Sequence, residues 1–121
     1  MTNHRRIRES DQRRLTELKE RHPKLFRCVI LPWFMPDGYR KMRAAAADRD
    51  NLCDSFNEFE QLATKRLSQV LADGHPVEKV EVDADALIEW CAAEERPLDG
   101  MARQTFAILT LVKRDSRGGH A

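Results

Sequence analysis

The apolar positions of the chain show their clearest periodicity between residues 52 and 71. Spacings of three and four residues separate Leu52, Phe56, Phe59, Ala63, Leu67 and Val70, and Leu62 and Leu71 widen the stripe. Such spacing places side chains on one face of an α-helix. The pattern predicts a central core helix ended by Gly74 and Pro76. The helical stretch is predicted to begin at Tyr39, with a break near residue 50 where Asn51 and Asp54 are a candidate capping box.

Three other segments are predicted to be helical. The first covers residues 10 to 22 with Ser10 as its N-cap, and its thin apolar stripe places it on the surface. The second follows Asp83, a natural N-cap, and ends before Pro97. The third begins near Gly100 and continues to about residue 113.

Two short segments rich in β-forming residues, 24 to 31 and 77 to 82, predict strands. The expected fold class is therefore α+β, predominantly helical, with about five helices covering a minimal two-stranded sheet. No linker divides the chain, so residues 1–115 are predicted to form a single helix-rich domain. Residues 116–121 are predicted to be a disordered tail.

The composition of the chain limits the classes of protein to which it can belong. The chain has 121 residues, 41% of them hydrophobic and 34% charged, which is enough to build one core without disulfides or a metal. Its three cysteines are widely spaced, which argues against a disulfide framework and against zinc. No apolar run is long enough to cross a bilayer, and the N-terminus lacks an apolar signal region, so we expect a cytoplasmic protein without membrane contact.

Charge is segregated along the chain. Residues 1 to 43 contain 12 Lys and Arg against five Asp and Glu, whereas residues 44 to 102 contain five against 14. Basic clusters of this kind are the electrostatic footprint of nucleic-acid binding. The candidate nucleic-acid-binding residues are Arg5, Arg6, Arg8, Arg13, Arg14, Lys19 and Arg21. Acidic residues interrupt the cluster at spacings that allow intrahelical pairs, so nucleic-acid binding is an alternative, and self-association of the basic end with the acidic middle is also expected.

The segment PWFMPDGY, residues 32 to 39, contains two prolines and a Pro-Asp-Gly turn signal, which predict an irregular loop. Aromatic residues and Met are enriched in interface cores, and the prolines would present them with little loss of entropy on binding. The predicted partner-binding residues are Trp33, Phe34, Met35 and Tyr39. The alternative is that Trp33 and Phe34 fold inward and cover the core.

No strong catalytic, metal or nucleotide motif is present in the sequence. The one glycine pair, Gly118-Gly119, lies in the predicted tail, so no cofactor is expected. Cys91 with His75 could serve a small cysteine- or histidine-dependent enzyme, although a lone cysteine is usually a small core residue. Asp83 and Asp85 begin a helix, where capping accounts for them without a metal.

The last third of the chain also has the element order of two DNA-binding folds. Strand 77 to 82 and the two helices after it match ribbon-helix-helix proteins, and the two helices alone match a helix-turn-helix. Glu78 and Glu81 on the strand, and Glu89 on the first of these helices, would repel phosphates. Both interpretations are therefore disfavoured.

The C-terminal pattern VEVDADALIEWCAAEERPLDGMARQTFA, residues 80 to 107, resembles the ends of small uncharacterised proteins carried by bacterial prophages, plasmids and other mobile elements. The resemblance covers about a quarter of the chain and implies host-takeover or anti-defence binding, or regulation of the element. The leading hypothesis is a non-enzymatic binding or regulatory protein that acts through protein-protein contact. The alternatives are a nucleic-acid binder and the small enzyme.

Overall fold

The computed structural model describes residues 9–118, with side chains described through residue 115. It confirms a predominantly helical α+β fold with five α-helices and a two-stranded sheet over these residues. The elements in chain order are α1 (Glu9–Arg21), β1 (Val29–Trp33), α2 (Pro36–Ala45), α3 (Phe56–Ala72), β2 (Val77–Glu81), α4 (Ala84–Ala93) and α5 (Gly100–Gly118). Within the described range, no helix is both long and apolar enough to cross a bilayer.

The two strands pair in parallel, with Val29 opposite Val77 and Trp33 opposite Glu81. Parallel strands require a crossover connection, which α2 and α3 supply. One face of the sheet carries Ile30 and Val80, which are buried in the hydrophobic core with residues of α4 and α5. The other face carries Trp33, whose ring lies 5.5 Å from that of Phe59 on α3. The sheet therefore lies between the α4–α5 pair and α3.

The first strand lies later in the chain than predicted. Leu25–Arg27 form a 3-10 turn, and the strand continues through Pro32 to Trp33. The prediction that residues 32 to 39 form an irregular loop was also wrong, because both prolines lie in regular structure. Pro32 occupies an edge strand, where its missing N–H costs no ladder bond, and Pro36 occupies the first turn of α2, where prolines are well tolerated.

The predicted helical stretch from residue 39 to 74 is broken where expected, but its cap is different. α2 ends at Ala45, a 3-10 turn follows at Arg49–Asn51, and α3 begins at Phe56. Ser55 is the N-cap, because its hydroxyl accepts a hydrogen bond from the Glu58 N–H at 3.2 Å. Its hydroxyl also donates to the Glu58 carboxylate at 3.3 Å, so the cap of α3 is Ser55 and not the predicted pair of Asn51 and Asp54.

Helices α3 and α4 end in the same backbone motif. The N–H groups of Gly74 and His75 donate to carbonyls of α3, and those of Glu95 and Arg96 donate to carbonyls of α4, the paired bonds of a Schellman turn. This turn requires a positive φ at one residue. Gly74 supplies it at 87°, and Glu95 supplies it at 52° despite its side chain. The turn at Glu95 directs Arg96 into the protein, where it is buried.

Helix α1 is fastened to the body by a buried ion pair that the sequence did not reveal. Arg96 Nη1 donates to Asp11 Oδ1 at 2.7 Å, and the two side chains are 1% and 0% exposed. Leu15 and Leu18 pack on the core beside it. The position of α1 on the surface was predicted, but Ser10 lies inside the helix and does not cap it.

The structure corrects the role of α3. Ala63 is its one buried residue among those described, and Phe56, Phe59, Leu67 and Val70 are half-buried. Leu62 is 62% exposed and Leu71 is 54% exposed. The prediction that α3 is the central core helix was wrong, because α4 and α5 supply more of the buried core residues than α3 does. Helix α3 is a half-covered outer layer.

The C-terminal helix α5 begins at the predicted residue, where Asp99 accepts a hydrogen bond from the Ala102 N–H at 2.9 Å. The predicted N-cap of α4 is confirmed by the bond from the Ala86 N–H to Asp83 at 3.1 Å. Helix α5 continues through Gly118, three residues into the segment predicted to be a disordered tail. Residues 119–121 of that segment lie outside the described residues.

Candidate binding groove

A groove of about 820 Å³ lies between α3 and the free edge of β1. Helix α3 forms one wall and β1 forms the other, while α2 and the start of α5 contribute to the floor and one end. The residues that line it are Val29, Ile30, Leu31, Pro32, Phe34, Tyr39, Met42, Asn51, Leu52, Cys53, Phe59, Leu62, Ala63, Lys65, Arg66, Gln69, Gly100, Arg103 and Gln104. The groove exists because α3 covers the sheet incompletely.

The strand edge in this groove offers few backbone hydrogen bonds. Val29 donates to the Pro76 carbonyl and the Trp33 carbonyl accepts from Val82, so the odd-numbered residues of β1 bond to β2. Ile30 and Pro32 therefore direct their backbone groups into the groove. Gln104 Nε2 already donates to the Ile30 carbonyl at 3.1 Å, and Pro32 has no N–H. These two features block the addition of a further strand, so side chains of a ligand would make most of the contacts.

The floor of the groove is apolar and held in place by an aromatic cluster. The Phe59 ring lies 4.8 Å from the Tyr39 ring, in a stacked geometry, and 6.3 Å from the Phe34 ring. Tyr39 also donates its hydroxyl proton to the Cys53 carbonyl at 2.5 Å, and burial raises the pKa of this hydroxyl. The bond fixes the segment before α3 against α2. The floor is therefore a preformed apolar surface, as is usual in ligand sites.

The rim of the groove is cationic. Lys65, Arg66 and Arg103 line it, and no acidic residue does so within the described part of the chain. Arg103 is already neutralised, because it donates to both carboxylate oxygens of Asp48 at 3.1 and 2.7 Å. This hydrogen bond lowers the pKa of Asp48. Lys65 and Arg66 are exposed and form no ion pair with the side chains that the structure describes, so they are the charges available to a ligand.

The groove lies along one side of α3. Leu62, Arg66 and Gln69 are spaced by four and three residues, so they form a row along the helix, and all three line the groove. Leu71 is similarly exposed but does not line it, because its position on the helix directs it to the opposite side. Leu62 and Leu71 are therefore a matched pair of exposed leucines, one inside the groove and one outside.

The residues predicted to bind a partner are mostly inaccessible. Trp33, Phe34 and Tyr39 are 7%, 2% and 2% exposed, and Met35 alone of the four is exposed, at 51%. Lys79 Nζ lies 4.1 Å from the centroid of the Trp33 ring and covers it further. Trp33 and Phe34 fold inward, as the alternative interpretation of this segment predicted. These aromatic rings are buried because β1 and α2 hold their backbone in regular structure.

The predicted nucleic-acid-binding residues are only partly brought together. Arg5, Arg6 and Arg8 lie outside the described residues. Arg14 is half-buried, donates to both oxygens of Glu94 at 3.2 and 2.9 Å, and lies over the Trp90 ring. Arg13, Lys19 and Arg21 are exposed on α1, where they alternate with the exposed glutamates Glu9, Glu17 and Glu20. The described part of α1 thus presents a surface of mixed charge.

The cysteine considered for catalysis belongs to the hydrophobic core. Cys91 is buried and burial raises the pKa of its thiol, which disfavours the nucleophilic thiolate. Burial also raises the pKa of Cys28, whose thiol donates to the Leu25 carbonyl at 3.1 Å. No group of three potential metal ligands occurs among the residues described. β2 pairs with β1 of the same chain, so it differs from the intermolecular strand of a ribbon-helix-helix protein.

The groove was not predicted, because the whole apolar stripe of α3 was assigned to the core. One signal could have indicated it. Leu62 and Leu71 lie on opposite margins of the stripe, and a stripe this wide needs partners on several sides. Lys65 and Arg66 between them are not typical of a helix buried in the centre of a domain.

Comparison with known proteins places the chain in no family. No family model, no curated protein and no solved structure matches it.

Proposed function

We propose that this is a non-enzymatic binding protein, which uses the groove between α3 and β1 to hold an apolar, acidic segment of another protein. The observation that carries the proposal is the composition of the groove. Its floor is apolar, its available charges are Lys65 and Arg66, and no described acidic residue lines it. An acidic side chain beside an apolar one would satisfy both features at once.

The form of the groove favours a helical segment as ligand. Gln104 and Pro32 block strand addition at the β1 edge, whereas the groove runs along α3 and offers contacts at helical spacing. Amphipathic helices commonly bind in apolar grooves through residues three and four positions apart. The resemblance of residues 80 to 107 to proteins of mobile elements is consistent with a host protein as the target, and this setting is part of the proposal.

Nucleic-acid binding through α1 has weaker support. Arg14 is engaged with Glu94, and the exposed cations of α1 alternate with glutamates. A phosphate backbone binds most strongly to cations whose charge is not already balanced.

The test compares three purified baits: wild type, Leu62→Asp and Leu71→Asp. Both variants place a charge at an exposed position of α3, so equal circular dichroism spectra and melting temperatures are expected. Proteins captured from an extract of the source cells by wild type and Leu71→Asp, but not by Leu62→Asp, are groove ligands. A crosslinker attached to Lys65 then identifies the bound segment, which is expected to be rich in Asp or Glu. The same proteins captured by all three baits would exclude the groove as the binding site.

A further inference from the structure

We infer that one occupant of this site is a second copy of the chain, bound through antiparallel packing of the two α3 helices around Leu62. This inference rests on the proposed function, because it names a partner for the same groove. The observation behind it is a row of side chains on α3 that is complementary to itself.

The row consists of Ser55 and four helical residues: Glu58, Leu62, Arg66 and Gln69. With about 100° of rotation per residue, all of them lie within about 40° of Leu62 around the helix axis. Leu62 is the apolar centre of the row, and this residue is 62% exposed. An apolar centre with polar flanks is the usual composition of an interface.

A two-fold axis at Leu62 brings complementary groups together. In an antiparallel helix pair, residues an equal number of positions before and after the centre lie at the same level. Glu58 lies four positions before Leu62 and Arg66 lies four after it, so each Glu58 faces Arg66 of the second copy, with Lys65 of that copy one position away. Ser55 faces Gln69 in the same way, and Leu62 faces itself. This is the pattern of an isologous interface.

The charges of the row are available for these contacts. Glu58 and Arg66 are both exposed, and neither forms an ion pair with another side chain in the described part of the structure. The reverse register, with helices parallel, would place Glu58 against Glu58 and Arg66 against Arg66. Charge therefore selects the antiparallel arrangement.

The α3 helix of the second copy also has the acidic and apolar side chains that the groove is proposed to bind. Leu62, Arg66 and Gln69 line the groove as well as belonging to the row, so a helix bound to the row lies across the open side of the groove. The N-terminal half of α3 carries Glu58 beside Leu62, which is the acidic and apolar combination that the cationic rim favours. One helix pair is smaller than a standard interface of about 800 Å² per partner, so we expect a dimer that dissociates at micromolar concentrations.

The experiment measures the mass of the full chain by sedimentation equilibrium between roughly 1 and 500 μM, a range that brackets a micromolar dissociation constant. Wild type and Leu71→Asp are expected to change from one to two chain masses over this range. Leu62→Asp is expected to raise the dissociation constant by at least about tenfold, since it places two carboxylates at the centre of the interface. Far-ultraviolet circular dichroism confirms that each variant is folded.

Charge reversal tests the register. Glu58→Lys places three cations together, and Lys65→Glu/Arg66→Glu places three carboxylates together, so each is expected to weaken the dimer. The combination of all three substitutions restores opposite charges and is expected to restore the wild-type mass profile. A dimer that is equally weakened by the combined variant, or unaffected by either reversal, would overturn the antiparallel register.

The outcomes separate this inference from the proposed function. A wild-type chain that stays at one chain mass up to 500 μM overturns the inference, as does equal dimerisation of Leu62→Asp. In either case the proposed function still stands if Leu62→Asp loses captured proteins that Leu71→Asp retains. If Leu62→Asp changes neither the mass nor the captured proteins, both proposals fail.

Discussion

Asp11 and Arg96 form an ion pair in which Oδ1 of the carboxylate and Nη1 of the guanidinium are 2.7 Å apart, and their side chains are 0% and 1% exposed. The pair joins α1 to the turn after α4. Arg96 also lies over the Trp90 ring, with its guanidinium carbon 5.0 Å from the ring centroid. The first helix is therefore held by this buried pair, by Arg14 on Glu94 and the Trp90 ring, and by the packing of Leu15 and Leu18.

Removal of one member of this pair is predicted to be strongly destabilising. Asp11→Ala leaves the Arg96 charge buried without its partner, which typically lowers the free energy of unfolding by about 3–5 kcal/mol. Urea unfolding followed by circular dichroism measures the change. Lys41→Ala is the control, because the exposed pair of Lys41 with Asp85 should contribute at most about 1 kcal/mol.

Replacement of both members is predicted to recover most of the loss. Asp11 Oδ2 and Arg96 Nε have no hydrogen-bond partner among the described residues, so the pair is incompletely satisfied. Buried pairs of this kind can often be replaced by apolar residues of similar volume at little cost. Asp11→Leu/Arg96→Met should therefore be more stable than Asp11→Ala. The opposite order would contradict the cost assigned to the unpaired charge of Arg96.

Glu95→Gly is predicted to stabilise the protein. Glu95 is exposed and has a φ of 52°, a conformation that costs a residue with a Cβ about 1 kcal/mol relative to glycine. Thermal unfolding should show a gain of roughly that size. Ala92→Gly, in the exposed last turn of the same helix, is the control and should lose about 0.5–1 kcal/mol.

Gly74, the positive-φ residue after α3, allows the opposite substitution to be tested. Gly74 has a φ of 87°, and a Cβ there would meet no atom within 4 Å. Gly74→Ala should therefore lose about 1 kcal/mol for conformational reasons alone. A loss after Glu95→Gly, or no change after Gly74→Ala, would contradict this account of the two turns.

The Asp48–Arg103 pair is predicted to make stability depend on acid pH. The hydrogen bond from Arg103 lowers the pKa of Asp48 in the folded protein. The stability that this hydrogen bond contributes is fully present above about 3.9, the pKa of an Asp in the unfolded chain. It is lost as the pH falls from there through the pKa of Asp48 in the folded protein. The difference in unfolding free energy between wild type and Asp48→Asn should therefore be constant from pH 5 to 7 and shrink near pH 3. An unchanged difference at pH 3 would contradict the assignment.

Cys91 is predicted to be unreactive in the folded protein. This residue is 4% exposed and burial raises the pKa of its thiol, so little thiolate is present at neutral pH. Mass spectrometry after iodoacetamide treatment should find Cys91 modified only when urea unfolds the chain. Cys28 and Cys53, which are partly exposed, provide the internal comparison. Rapid labelling of native Cys91 would support the enzyme alternative.

Local signals predicted several elements correctly. The N-cap at Asp83, the start of α5 near Gly100 and the break in the helical segment near residue 50 depend on residues within one turn of the feature, and the structure confirms them. The end of α3 at Gly74 is of the same kind. Such features are predictable because capping and positive φ are properties of a few neighbouring residues.

Competition between apolar segments could not be resolved locally. Periodicity shows that α3 has an apolar face, but α4 and α5 also have apolar faces, and burial depends on which of them pack together. The same limit applies to Trp33 and Phe34. Their two prolines indicated a loop, whereas the pairing of β1 with β2 kept the segment extended and turned the rings inward.

The amino-acid sequence by itself determined the helical α+β class, several helix ends and the segregation of charge, because these follow from composition and from contacts between neighbours in the chain. Only the tertiary structure decided that Asp11 meets Arg96 and that Lys65 and Arg66 border an apolar groove. Both depend on where whole helices pack. The partial cover that α3 gives the sheet, and with it the candidate site, is a property of that packing.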